Sequence, residues 1–173
     1  MNDIAINIDA ADNLINNNVV FSNDSRQKAK GVFDIATLLS KKDKDAPLRI
    51  DIDILPSELI LNNAIWVMNK SHIAIEGGAY EVENLLIHTE TGDQEVKVNG
   101  KFAPKNPHDI LKAELKGIDL EYIFQTLAID VLKFGGRATG NAFVSSIEQK
   151  PYANTRLEIA DFKFNGTDLG NLN

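Results

Sequence analysis

Residues 48–54 read Leu48-Arg49-Ile50-Asp51-Ile52-Asp53-Ile54, with an apolar residue at every second position and a charged one between. Such alternation marks a β-strand with one dry and one wet face, because successive side chains of an extended chain point to opposite sides. Ile50, Ile52 and Ile54 share the dry face, and Arg49, Asp51 and Asp53 the wet one. Pro56 follows closely and has no N–H to donate, so it predicts the end of this strand or an edge position for it.

The same period recurs on either side, in Ile4-Ala5-Ile6-Asn7-Ile8-Asp9, His72-Ile73-Ala74-Ile75-Glu76 and Glu95-Val96-Lys97-Val98-Asn99. Thr91-Gly92-Asp93 lies between the runs Leu85–Ile87 and Val96–Val98 and carries hairpin-turn chemistry. A longer repetition overlies the strands. The pattern apolar–polar–Gly appears as Ala29-Lys30-Gly31, Ile75-Glu76-Gly77, Val98-Asn99-Gly100, Leu115-Lys116-Gly117 and Phe164-Asn165-Gly166. Glycine near a strand end permits the bulge or bend that a coiling sheet requires.

Helix signals are few. Leu120, Ile123, Phe124 and Leu127 fall at helical spacing behind Asp119, a good N-cap, and predict one short amphipathic helix from Asp119 to Ala128. A weaker pattern at Asp34, with Ile35, Leu38 and Leu39 ahead of Lys41-Lys42, fits a helix or a strand continuing from Val32. The expected fold class is mainly β: a curled antiparallel sheet, of the β-taco or half-open solenoid kind, with one short amphipathic helix.

At 173 residues the chain is one domain's worth of sequence, and 18 basic against 25 acidic residues give a net charge of −7. An acidic chain without a clustered basic face excludes nucleic acid as its expected partner. It has no cysteine, which excludes thiol catalysis, thiolate-bound metal and disulfides. His72, His88 and His108 are far apart and none has metal-ligand spacing. Asp51/Asp53, Asp9/Asp12 and Glu81/Glu83 read as a solvated sheet face rather than an acid–base pair. Phe134-Gly135-Gly136-Arg137-Ala138-Thr139-Gly140-Asn141 lacks the ending of a P-loop. It reads as a tightly bent strand, with Ala138, Gly140 and Ala142 on one face and Thr139, Asn141 and Phe143 on the other. Trp66, Tyr80, Tyr122 and Tyr152 are dispersed, and read as core or edge residues rather than a sugar platform. No catalytic residue, metal site or cofactor is expected. A polysaccharide-acting solenoid enzyme would need carboxylates and basic groups converging on one face, and the alternation scatters them.

The order of motifs over residues 48–173 is more telling than any one of them. It runs from Leu55-Pro56 and Ile65-Trp66-Val67 to Ile73–Gly77 and Tyr80-Glu81-Val82, then Asn84–Ile87 with Gln94–Gly100. Ile118–Phe124, Gly135–Ser145 and Pro151 through Thr167-Asp168-Leu169-Gly170 follow. This order resembles the TamB family (translocation and assembly module) of AsmA-like bacterial envelope proteins. One departure is Ser145-Ser146, where that family often has Ser-Gly. Residues 1–47 match only in strand character, so the whole of 1–173 reads as a single segment of a larger repetitive β protein. The early onset of strand pattern and the uncapped ending Leu169–Asn173 fit an internal section, with Met1 an added start residue.

The resemblance implies a non-catalytic section of a periplasmic protein, anchored in the inner membrane, whose sheet curls into a trough with an apolar inner face. It implies phospholipid transport and outer-membrane biogenesis, with an outer-membrane barrel protein as partner. The lipid-groove candidates are Ile50, Ile52, Ile54, Ile73, Ile75, Val96, Val98, Leu157 and Ile159. Acyl chains need only apolar surface, at about 0.8 kcal/mol per buried CH₂. Two alternatives stay open. These isoleucines form an ordinary core if the sheet closes or folds over the Leu120/Ile123/Phe124/Leu127 helix. The client is a nascent outer-membrane β-strand, rather than a phospholipid acyl chain, if an open sheet edge does the binding.

Overall fold

The computed structural model of the chain describes residues 2–23, 29–61, 64–122, 133–147 and 149–172. Thirteen strands form one antiparallel sheet: β1 (Asn2–Ala11), β2 (Leu14–Asn23), β3 (Ala29–Ser40), β4 (Arg49–Ile54), β5 (Ser57–Leu61), β6 (Ala64–Met68), β7 (Ser71–Glu76), β8 (Ala79–Thr89), β9 (Glu95–Phe102), β10 (Leu111–Asp119), β11 (Phe134–Ile147), β12 (Lys150–Phe164) and β13 (Thr167–Leu172). The main path is β1-β2-β3-β4-β7-β8-β9-β10-β11-β12-β13, with β5 beside β3 and β6, and β6 beside β8.

This order is a plain meander once the breaks are understood. β4 and β5 are one strand interrupted at Leu55-Pro56, and β6 and β7 are one strand interrupted at Asn69-Lys70. The pairs Ile54↔Ser71 and Ser57↔Met68 lie three residues on along one strand and three back along the other, so a single register crosses both breaks. Pro56 cannot donate a ladder hydrogen bond, and the pairing lapses there. The backbone stays tied across the gap by Leu55 N–H to Asp34 O and Asn69 N–H to Leu86 O, both 2.9 Å. Short turns enforce the meander. Asp12-Asn13, Gly77-Gly78 and Asn165-Gly166 each place two consecutive residues at positive φ, the geometry that matches strand twist in two-residue hairpins.

The ambiguous Asp34 pattern is strand. Ile35 and Leu39 are four apart, a spacing that serves a helix face or a strand face, and pairing decides between them. Ile35 lies opposite Ile54 and Leu39 opposite Ile50, while Leu38 points to the other side. The helix predicted behind Asp119 begins where expected, with a helical turn at Leu120–Tyr122 capped by a 3.1 Å hydrogen bond from Tyr122 N–H to Asp119 Oδ1. Ile123, Phe124, Leu127 and Ala128 lie outside the described residues. Pro56 ends β4 as predicted, and Thr91-Gly92-Asp93 forms the β8–β9 turn.

Four of the five repeat glycines, Gly77, Gly100, Gly117 and Gly166, take positive φ. Gly100 shows why no other residue suits. Its φ is +115°, and a β-carbon there would collide with the carbonyl oxygen of Ile110 on the neighbouring strand. Gly31 departs from the pattern. Its missing side chain instead makes room for Phe21 and for Leu59, whose Cδ2 would lie 2.5 Å from a β-carbon.

The sheet is one layer, and it curls. Leu59, Trp66 and Met68 of β5 and β6 share a packed cluster with Ile118 at the end of β10 and with Tyr122, although β8 and β9 separate β6 from β10 in the sheet. The molecule exposes 11501 Å² of surface. A compact monomer of 19.1 kDa exposes ~8400 Å². The excess is the surface that a second layer would have covered.

Gly100→Ala is expected to lower unfolding stability by about 1–3 kcal/mol, from backbone strain plus the clash with Ile110. Urea denaturation checks it, and an unchanged midpoint would mean that the β9–β10 bend is not under this constraint.

Candidate functional site: the concave apolar face

Directly opposed residues of neighbouring strands point to the same side, so the registers trace each face across the sheet. One row runs Leu39–Ile50–Ile75–Tyr80–Phe102, and the next runs Thr37–Ile52–Ile73–Val82–Gly100–Leu111–Val144. A third row is Leu85–Val98–Ala113–Ala142–Thr155, and a fourth is Met68–Ile87–Val96–Leu115–Gly140–Leu157. Ile118–Ala138–Ile159–Leu172 makes a fifth. All are rows of one face, apolar almost throughout.

All nine groove candidates lie on this face, and every one is half-buried. Ile50, Ile52, Ile54, Ile73 and Ile75 form a block on adjoining β4 and β7. Val96 and Val98 join it through Val82, Leu85 and Ile87 of β8. Leu157 and Ile159, on β12, are set apart from them by β10 and β11. There the face narrows to Ala113, Ala138, Gly140 and Ala142, as expected for the bent glycine strand.

Sequence reading missed the packed end of this face. Leu59, Trp66, Met68, Ile118 and Tyr122 are buried together. Trp66 and Tyr122, dispersed in the sequence, are thus brought into one cluster, whereas Tyr80 and Tyr152 stay exposed. The available signal was Ala64–Met68, the longest apolar run in the chain.

The hydroxyls of Ser57, Ser71, Thr89 and Ser146, buried on this face, are each hydrogen-bonded within the protein. Ser57 Oγ donates to Leu55 O and Ser71 Oγ to Asn69 O, both at 3.0 Å, so each hydroxyl closes one of the two strand breaks. Thr89 Oγ1 donates to Asp93 Oδ1 in the β8–β9 turn, and Ser146 Oγ to Pro104 O at 2.6 Å.

Among the described strand residues, the charged side chains sit on the opposite, convex face. Arg49 donates to both carboxylate oxygens of Asp51, at 2.7 Å from Nη2 and 2.9 Å from Nε, and stands 3.6 Å from Glu76. His72 lies between Asp51 and Asp53, at 3.3 and 3.0 Å. Lys101 pairs with Glu81 at 2.5 Å, and Lys112 with Glu114. Asn7, Asn18 and Asp34 form a hydrogen-bonded ladder across β1, β2 and β3. These exposed pairs are screened by water and add little to stability; they mainly keep this face wet. Among the described residues, no group of three or more His, Asp or Glu side chains is placed to hold a metal ion.

No protein-family model, curated protein or solved structure matches the chain.

Hydrogen bonding from Arg49 holds the Asp51 carboxyl below the usual aspartate range; partial burial opposes the shift, and the charges of Arg49 and His72 reinforce it. A carboxyl depressed in the folded state adds stability that is present above its unfolded pKa, about 4, and lost as pH falls through its folded value. Arg49→Met is expected to move the Asp51 titration, followed by ¹³C NMR of the carboxyl, back up towards the ordinary value. A titration that stays put would show that Arg49 is not the cause.

Proposed function

We propose that this chain is a non-catalytic section of a TamB-like, periplasm-spanning envelope protein, and that its concave face carries phospholipid acyl chains in the service of outer-membrane biogenesis. The observation that supports this most is the continuous, half-exposed apolar face on a single-layer sheet. An acyl chain laid along it replaces water on both partners, at about 0.8 kcal/mol per CH₂. The collinear motifs of residues 48–173 supply the family side of the proposal, and an inner-membrane anchor and an outer-membrane barrel partner come with it.

A separate observation favours a second reading, pairing with a nascent outer-membrane β-strand. β1 pairs only with β2 among the described residues, over ten unbroken positions, and Ile4, Ile6 and Ile8 are 70%, 57% and 66% exposed. A long edge strand with an exposed apolar row and no lysine, proline or bulge is a template for strand addition. The β13 end differs: it has six residues, register shifts and Gly170 at positive φ.

The deciding experiment is native mass spectrometry of the protein released from cell envelopes without detergent. Bound phospholipid is expected, together with its loss in Ile52→Asp and Val98→Asp at an unchanged melting temperature. Unfolding of both variants would assign these residues to an ordinary core and overturn the groove. Ala5→Pro and Ile6→Pro test the edge, because N–H groups of consecutive strand residues point to opposite edges and one of the two variants removes an outward donor. Strand pairing predicts that this variant loses capture of an outer-membrane-strand peptide while its lipid content is unchanged. Equal capture by both variants and the parent would sink it.

A further inference from the structure

Resting on the lipid-groove reading and deepening it, we propose that the indole N–H of Trp66 is a recognition point at the packed end of the groove, and that it donates to the carbonyl oxygen of a bound acyl chain. Trp66 is 4% exposed, and its Nε1 meets no acceptor among the described residues. Buried donors are almost always satisfied, and one that is not forfeits the hydration it had in the unfolded chain. The contrast with its surroundings is sharp. The hydroxyls of Ser57, Ser71 and Thr89 are bonded within their own break or turn, and that of Ser146, on β11, reaches Pro104 O in the β9–β10 connection. Among the buried side-chain donors of the described residues, Trp66 Nε1 is the one without an acceptor, on the concave face between Leu59 and Thr89.

The chemistry of that donor selects its partner. An indole N–H donates and cannot accept, so the occupant must bring an acceptor. The neighbours are Leu59, Met68, Ile118 and Tyr122, with Leu61, Ala64 and Ile87 packed against them. Such surroundings penalise a charged, strongly hydrated phosphate and tolerate a neutral carbonyl. An acyl carbonyl joins that acceptor to a long apolar tail. The tail has a path on the same face, through Met68, Ile87, Val96 and Leu115. Met68, unbranched and adaptable, is the cluster member that gives way as the carbonyl enters. The N–H then fixes how far along the groove the chain sits.

Trp66 is the only tryptophan, so its indole gives one ¹H–¹⁵N resonance that reports on this position directly. The probes are palmitoyl lysophosphatidylcholine, its ether-linked analogue without the carbonyl, and palmitic acid. The ester-linked lipid is expected to move the indole proton downfield, and the ether analogue to bind without that shift. Trp66→Phe is expected to weaken the ester-linked lipid roughly threefold to tenfold and to leave the ether analogue unaffected, as befits one neutral hydrogen bond. A shift with the ester-linked lipid assigns the carbonyl to a glycerolipid, and a shift with palmitic acid alone assigns it to a free fatty acid. If the methyl signals of Ile52 and Ile73 move while the indole does not, the recognition point is refuted and the groove stands. If neither moves with any probe, the groove reading fails and the inference fails with it.

Discussion

The constraint on which this structure depends is phase: the apolar residues of every strand must stay on one side of a single sheet, even where strands break. The inner positions of β4 are Ile50, Ile52 and Ile54, but those of β5 are Ser57, Leu59 and Leu61, one residue out of step. Across the facing break, β6 places Ala64, Trp66 and Met68 inward and β7 places Ser71, Ile73 and Ile75 inward, with the same slip. β8 slips as well, at Asn84, which takes positive φ in a bulge between Val82 and Leu85. A one-residue slip in one strand alone would turn its apolar set out to water. Matched slips in three adjacent strands keep the face continuous and bend the sheet along one line.

Curling follows from the same devices. Bulges at Asn84, near Gly117 and around Asp161 each add a residue to one strand of a pair, which increases local twist. Gly100 allows close backbone approach between β9 and β10. The result buries few side chains fully, so most of the ordering is carried by backbone ladders and by half-buried rows rather than by a central core. That is a marginal arrangement for a single sheet, and it leaves much apolar area uncovered.

Much of this was legible in the sequence because period two is a local property. Ile50/Ile52/Ile54, Ile73/Ile75 and Val96/Val98 declared their common face without any knowledge of pairing. The cluster of Leu59, Trp66, Met68, Ile118 and Tyr122 was not legible. Its members belong to strands whose phase is reset at Pro56, Asn69 and the β10 bulge, and only the register shows that they share a side. Ile35 and Leu39 posed the opposite problem, since a spacing of four is even and satisfies a strand as well as a helix. Trp66 looked like an isolated aromatic for the same reason: its partners are fixed by registers and a curl that no short window of sequence contains.

The separation of faces also limits how such a sheet can discriminate. Arg49, His72, Lys101 and their carboxylate partners all sit on the convex side. Charge is therefore kept off the concave face. The concave face itself offers the isoleucine block, the small residues Ala113, Ala142 and Gly140 and, among the described residues, one buried donor without an acceptor, Trp66 Nε1. Apolar area alone accepts any hydrocarbon, with a free energy that scales with length. A buried hydrogen-bond donor adds the directional requirement that area lacks, because it rejects what cannot accept. On the proposed reading, specificity rests on the few buried polar atoms of this face, and the strand breaks matter twice: they keep the apolar phase, and they place Trp66 where that phase would otherwise have been lost.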